Sequence, residues 1–253
     1  MRSALFGKKH YLALLAMILA LLVGAGYMLD GVLFNQAQAQ IDANANLLMD
    51  SMLAVREYTS KEVNPIVDPI NRKEDTFLPE AVPSYSATRV FSYLASNKNY
   101  RDFSYREATL NPTNLKDKAD PFEAQIVEIF RADPKLKIQS GVRQLNNVSV
   151  HYLARPLRVS KASCLDCHST PERAPRSHLA TYGSISGFGW HLHEIVGAQI
   201  VSVPVQAVLA AKQTNFTTIV AVFFLALVLL SLLILALSRQ VDLNRWLPAF
   251  LKS

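Results

Sequence analysis

Both cysteines of the 253-residue chain fall in one pentapeptide, Cys164-Leu165-Asp166-Cys167-His168. Two thiols three residues apart can each add to one vinyl group of a porphyrin. The residue after the second thiol then lies beneath the ring, where an imidazole can give a nitrogen to iron. The spacing is therefore the attachment pattern of one covalent haem c, with His168 as iron ligand. Three other chemistries compete for the same residues. A disulfide suits an oxidising compartment but leaves His168 without a role. Half a zinc site needs further thiol or imidazole ligands in a second cluster, and there are no more cysteines than these 2. A redox dithiol belongs at a helix start after a strand, whereas Ser169-Thr170-Pro171 follows this motif at once.

An attached haem needs an apolar cleft, partners for its propionates and, on the far face of the iron, either a ligand or a gap. Tyr152, Tyr182, Phe188 and Trp190 lie near the motif in sequence and can cover the ring. Arg155, Arg158, Lys161 and Arg173 surround it and can pair with propionates. For the second ligand Met52 ranks first, because it lies on the apolar face of a helix with Leu48 and Val55, with Met49 at its edge. His193 ranks next, beside His191; His151 shares a polar strand face with Ser149 and reads as solvated, and His178 reads as a surface residue.

Ile41, Ala45, Leu48, Met52, Val55 and Thr59 recur at steps of four and three, one face of a helix that Pro65 and Pro69 should end. A second helix is expected from a Ser84 cap to about Asn97, and a third from Asp120-Pro121-Phe122-Glu123 to Arg131. Elsewhere the period is two: residues 101–110, 136–143, the run through Val148, Val150, Tyr152 and Ala154, and Ile195 to Val203 read as strands. Asn146-Asn147 reads as a hairpin turn, since Asn tolerates positive φ. Helices interleaved with strands that alternate in polarity make an α+β domain with an antiparallel sheet.

Residues 11–29 and 216–237 contain no charged residue and no His, and each is long enough to cross a bilayer core of roughly 30 Å at about 1.5 Å per helical residue. Outside them about a fifth of the residues are charged, as in an ordinary soluble domain. Disorder, a collagen and a polytopic transporter are excluded. The flanks carry Arg2, Lys8 and Lys9 at one end and Arg239, Arg245 and Lys252 at the other, which places both in the cytoplasm. The expected organisation is a cytoplasmic N-terminus (1–10), a first membrane helix (11–29), a stalk helix (30–62), the haem domain (63–215), a second membrane helix (216–237) and a short cytoplasmic tail (238–253). Ala37-Gln38-Ala39 resembles a signal-peptide cleavage site, but the apolar run is longer than a signal core and ends ten residues earlier, which favours an uncleaved anchor. The outer segment is close to neutral and has no basic stripe with interleaved aromatics, so nucleic acid is not an expected partner.

At this level the chain resembles the c-haem sensor domains with a PAS-like fold that serve cyanobacteria and many proteobacteria as extracytoplasmic inputs of signalling proteins. The resemblance is carried in order by Ala54-Val55-Arg56-Glu57-Tyr58-Thr59, Phe77-Leu78-Pro79-Glu80-Ala81-Val82-Pro83, Asn111-Pro112-Thr113-Asn114, Ala119-Asp120-Pro121-Phe122-Glu123, Tyr152-Leu153-Ala154-Arg155-Pro156, Gly187-Phe188-Gly189-Trp190 and Gly197-Ala198-Gln199. It implies a PAS-like sheet with flanking helices, one haem on Cys164 and Cys167, and His168 as proximal ligand. One type of member uses a cysteine as the opposite ligand; with no third cysteine here, that ligand does not transfer.

The function expected is a sensor of redox state or a small gas, anchored in the inner membrane with its main domain in the periplasm and signalling through a partner protein. An electron-transfer cytochrome, or the haem subunit of a larger membrane complex, is the alternative, because the short tail holds no output domain. The stalk would allow a homodimer. No Ser/His/Asp set, phosphate loop or carboxylate pair stands out, so no enzymatic activity is expected.

Overall fold

The computed structural model describes residues 8–145 and 147–250. The chain divides into two compact units, residues 39–206 and a second made of residues 1–38 and 207–253.

The two apolar stretches of the second unit belong to α1 (Lys8–Tyr58), whose later part continues into the first unit, and to α7 (Gln206–Phe250). Both are long and apolar enough to cross a membrane, by length and composition, and Leu19, Leu21, Phe223, Phe224 and Leu229 are exposed on their surfaces. An ion pair between Asp30 and Lys212 joins the two helices. Arg2 and Lys252 lie outside the described residues.

The first unit is α+β, as expected. Four strands, β1 (Ser104–Thr109), β2 (Gln139–Leu145), β3 (Val148–Arg158) and β4 (Ile195–Pro204), form one antiparallel sheet in the order β1-β4-β3-β2. The last strand in sequence is thus inserted at the centre, and β4 is buried along nearly its whole length. Both faces of the sheet are covered, and the period of two sorts the strand residues between them. Tyr105, Leu153, Val201 and Val203 meet Ala45, Leu48, Met49 and Met52 of α1 and Ala87 and Phe91 of α3 (Pro83–Ala95). Ala108, Tyr152, Ala154, Ala198 and Ile200 meet Ile126, Val127 and Phe130 of α4 (Pro121–Ala132). The hairpin between β2 and β3 turns through Asn147 at φ 65°, its neighbour Asn146 lying outside the described residues.

Two local expectations change. Pro65 and Pro69 do not end the stalk. The chain passes from α1 through a wider π-turn (Thr59–Val63) into α2 (Asn64–Lys73), with Pro65 in the first turn, where its missing N–H would be unpaired in any case, and Pro69 inside. The second helix starts one residue early, with Pro83 in its first turn and Val82 ahead of it, so Ser84 is not a cap. The third start is as read: Asp120 accepts from the Glu123 amide at 2.7 Å, and the Glu123 carboxylate accepts from the Asp120 amide at 3.0 Å. Glu123 is buried and receives Arg106 as well, which ties α4 to β1.

Phe130 is 0% exposed at the centre of the α4 side of the sheet. Phe130→Ala is expected to destabilise this unit by about 3–5 kcal/mol, read from denaturant unfolding of the detergent-solubilised chain; a loss within experimental error of zero would contradict the packing described.

Candidate haem site

The site is built on the chain between the two central strands. At its base β3 and β4 remain paired past their ends, Val159 donating to the Glu194 carbonyl at 2.9 Å and His193 donating back to Val159 at 2.8 Å. A short 3-10 turn (Ala162–Cys164) then leads into α5, a single helical turn (Leu165–His168). Positions three apart on such a turn share a face, and Cys164 and Cys167 are both half-buried with free thiols. Burial pushes the Cys167 thiol up to about 11, the Asp68 carboxylate adding to the effect, so it is held as a neutral S–H. Arg72 of α2 reaches Asp68 at 2.7 Å and Asp166 at 3.2 Å, which ties α5 to α2.

His168 is held on three sides. Its Nδ1 lies 2.8 Å from the Gly187 carbonyl oxygen and 3.4 Å from Thr113 Oγ1. Its ring stacks on Trp190, with centroids 4.0 Å apart and planes 13° from parallel. Trp190 also donates its amide to the His168 carbonyl at 3.1 Å, and Gly189 donates to Ser169 at 2.9 Å, so the two segments run as a short ladder. A carbonyl accepts only, so Nδ1 carries the proton and Nε2 is left with its lone pair. This is the arrangement that orients a histidine ligand towards a metal. Burial lowers the His168 pKa, the Gly187 bond opposing it in part, which favours the neutral form that ligation requires.

Asn111 sets the acceptor in place. Its Oδ1 accepts from the Gly187 amide at 3.0 Å and its Nδ2 donates to the Phe188 carbonyl at 2.9 Å. Gly187 has φ +84°, and a Cβ there would come within 2.2 Å of Thr113 Oγ1 and 2.7 Å of Thr113 Cα. Only glycine fits that backbone and that gap.

The residues expected around the ring divide. Trp190, Phe188 and Tyr182 gather near His168, Phe188 and Tyr182 by way of His178. Tyr152 does not join them: its ring meets Phe122 edge-on at 5.1 Å on the α4 side, because even-numbered residues of β3 face that way. Of the expected propionate partners, Arg155 is bound to Asp50 at 2.8 Å, Arg158 to the carbonyls of His193 and Pro134, and Arg173 to Asp166, while Lys161 is exposed. Met52 and Met49 are buried between α1, α3 and the sheet, in a cluster that contains none of the residues around His168. His191 and His193 are exposed, His193 with φ 70°. His151 is not solvated: it is 8% exposed, and its Nε2 lies 3.1 Å from Asp42 of α1, because the strand face read as polar is covered by that helix. Nor is His178 a surface residue; it is 4% exposed in α6 (Arg176–Tyr182), its ring 6.3 Å from that of His168.

A further group carries no functional signal in the sequence. Arg56 of α1 forms an ion pair with the buried Glu107 of β1, Tyr105 donates to Glu107 at 2.6 Å, and Gln199 of β4 donates to Tyr105 at 3.2 Å. Burial opposes the charge on Arg56, but Glu107 beside it raises its pKa on balance; burial and Glu107 raise that of Tyr105. Arg56 and Glu107 stand 51 residues apart, in segments whose neighbours give no sign that they meet.

The donor set fits a covalently bound haem: two free thiols on one turn and a neutral imidazole with an oriented, unprotonated nitrogen. A zinc site fits poorly, since among the described residues no three His, Cys, Asp or Glu side chains converge. The Tll0287-like family matches residues 35–204. The chain belongs to that family. Among solved structures, the crystal structure of the cyanobacterial heme-protein Tll0287 is similar at 15% identity and a TM-score of 0.45, covering 62% of this chain and 94% of that one. Among curated proteins none matches.

Gly187→Ala should force the loop off Thr113 and move the carbonyl that holds His168. The expected outcome is a changed ferric absorption spectrum in protein that still carries covalent pigment; a spectrum identical to wild type would show that the Gly187 carbonyl does not orient the ligand.

Proposed function

We propose that this member of the Tll0287-like family carries one haem c on Cys164 and Cys167, with His168 as proximal ligand, and acts as a membrane-anchored sensor of redox state or a small gas. The observation that carries the reading is the pinned imidazole beside two free thiols on a single turn. Cys164 and Cys167 would each hold the porphyrin through one thioether link, the S–H adding across a vinyl group. The haem supplies an iron that changes charge and ligation. His168 would hold that iron from one side, with Trp190 stacked against the imidazole and Phe188 and Tyr182 nearby.

The fold we assign is PAS-like, with the outer unit in the periplasm and the apolar parts of α1 and α7 in the inner membrane. Signalling passes to a partner protein, and no enzymatic step is assigned. The segment of α1 from Asp42 to Arg56 supports a route for the signal. It is held to the sheet by Asp42 with His151, Asp50 with Arg155 and Arg56 with Glu107. Two ion pairs and the His151 contact along one helix form a set that a change of charge at the iron can bias.

Acid-acetone extraction of the purified chain tests the attachment. The pigment is expected to stay with the polypeptide, and Cys164→Ala with Cys167→Ala to remove it; colourless wild-type protein would defeat the reading. Ferrous protein that binds CO or NO, or that changes ligation on reduction, supports the sensor. Unchanged ligation with rapid electron exchange would identify an electron-transfer cytochrome instead.

A further inference from the structure

His178 is the buried titratable group that the site as described leaves without a role. Its ring sits among aromatic rings, with Phe77 and Tyr182 each at 5.4 Å and Phe188 at 6.0 Å between centroids. A buried histidine ordinarily gives or takes a hydrogen bond, yet among the described residues its Nδ1 has no partner. The aromatic walls around it supply no hydrogen-bond partner to that nitrogen. An imidazole nitrogen buried without a hydrogen-bond partner marks a ring that is free to serve as a ligand, for example to a metal.

The second observation is its distance from the ligand already assigned. The His168 and His178 rings are 6.3 Å apart, with planes at 87°. Two imidazoles on opposite sides of one metal have centroids about 6 Å apart, two bonds of about 2 Å plus the distance from each nitrogen to its ring centre. The other candidates lie elsewhere or point to solvent: Met52 and Met49 in the core, His151 under α1 beside Asp42, His191 and His193 exposed.

We propose that His178 is the second axial ligand of the haem iron, opposite His168. The inference rests on the haem reading above and deepens it. With both axial positions filled by imidazole, a gas reaches the iron only when His178 leaves. The neighbouring Ser177 is fully buried and donates to the Asn71 carbonyl of α2 at 2.6 Å, so departure of His178 pulls on the helix that continues from the stalk.

The test uses the full chain, matured with haem and purified in detergent. Wild type is expected to give low-spin ferric absorption and electron paramagnetic resonance spectra of a bis-imidazole haem. His178→Ala, and His178→Gln as a variant closer in volume, are expected to keep covalent pigment and become high-spin. Added imidazole should restore the low-spin spectrum of His178→Ala, and its ferrous form should bind CO about tenfold or more tightly, because the competing ligand is gone. Low-spin spectra unchanged in both variants would overturn the proposal, as would a wild type already high-spin, or loss of the low-spin spectrum in Met52→Leu alone. Wild type without covalent pigment would overturn the haem reading itself, an outcome distinct from these.

Discussion

The bond from His168 Nδ1 to the Gly187 carbonyl organises the rest of the site. It decides which ring nitrogen is free, and it does so with an acceptor nineteen residues away that must itself be held still. Asn111 holds it by taking the Gly187 amide and giving to the Phe188 carbonyl, and Thr113 fills the gap where a side chain on residue 187 would sit. The loop after β1 and the loop before β4 therefore meet over the motif. They can do so because β4 lies beside β1 in the sheet, Thr109 opposite Gly197. Inserting the last strand between β1 and β3 is what brings Asn111, His168 and Gly187 to one end of the sheet.

The sheet must also hold charge where water is scarce. Glu107 lies on a strand covered by helices, and a lone buried carboxylate is strongly unfavourable. Arg56, Tyr105 and Gln199 supply its counter-charge and hydrogen bonds, and Arg106 does the same for Glu123 on the opposite face. Because Arg56 lies in α1 and Arg106 in β1, these ion pairs join α1 to β1 and β1 to α4. Such pairs contribute little net stability over apolar packing, but removing one partner strands the other, so they fix which helix sits where.

Several features are legible along the chain itself. The Cys164-Cys167-His168 spacing carries its chemistry locally, since one helical turn suffices to present both thiols. The capping box at Asp120 and Glu123, the strands and the two apolar stretches follow from periods and caps that act within a few residues. The misleading signals are local too. Pro65 and Pro69 read as a stop because the π-turn that admits them has no signature of its own. The odd face of β3 reads as solvated, since nothing in its residues says that α1 lies on it, and the burial of His151 is hidden for the same reason.

The sequence alone thus determined that two thiols and an imidazole share one turn and which segments are strands, helices and apolar spans, because spacing along the chain sets those directly. The tertiary structure decided the rest: that Tyr152 faces α4, that Arg155 is taken by Asp50, that Arg56 meets Glu107, and that His178 is buried beside His168. Contacts across the sheet and between loops depend on strand order and on which face each helix covers, and neither is encoded by neighbours in the chain.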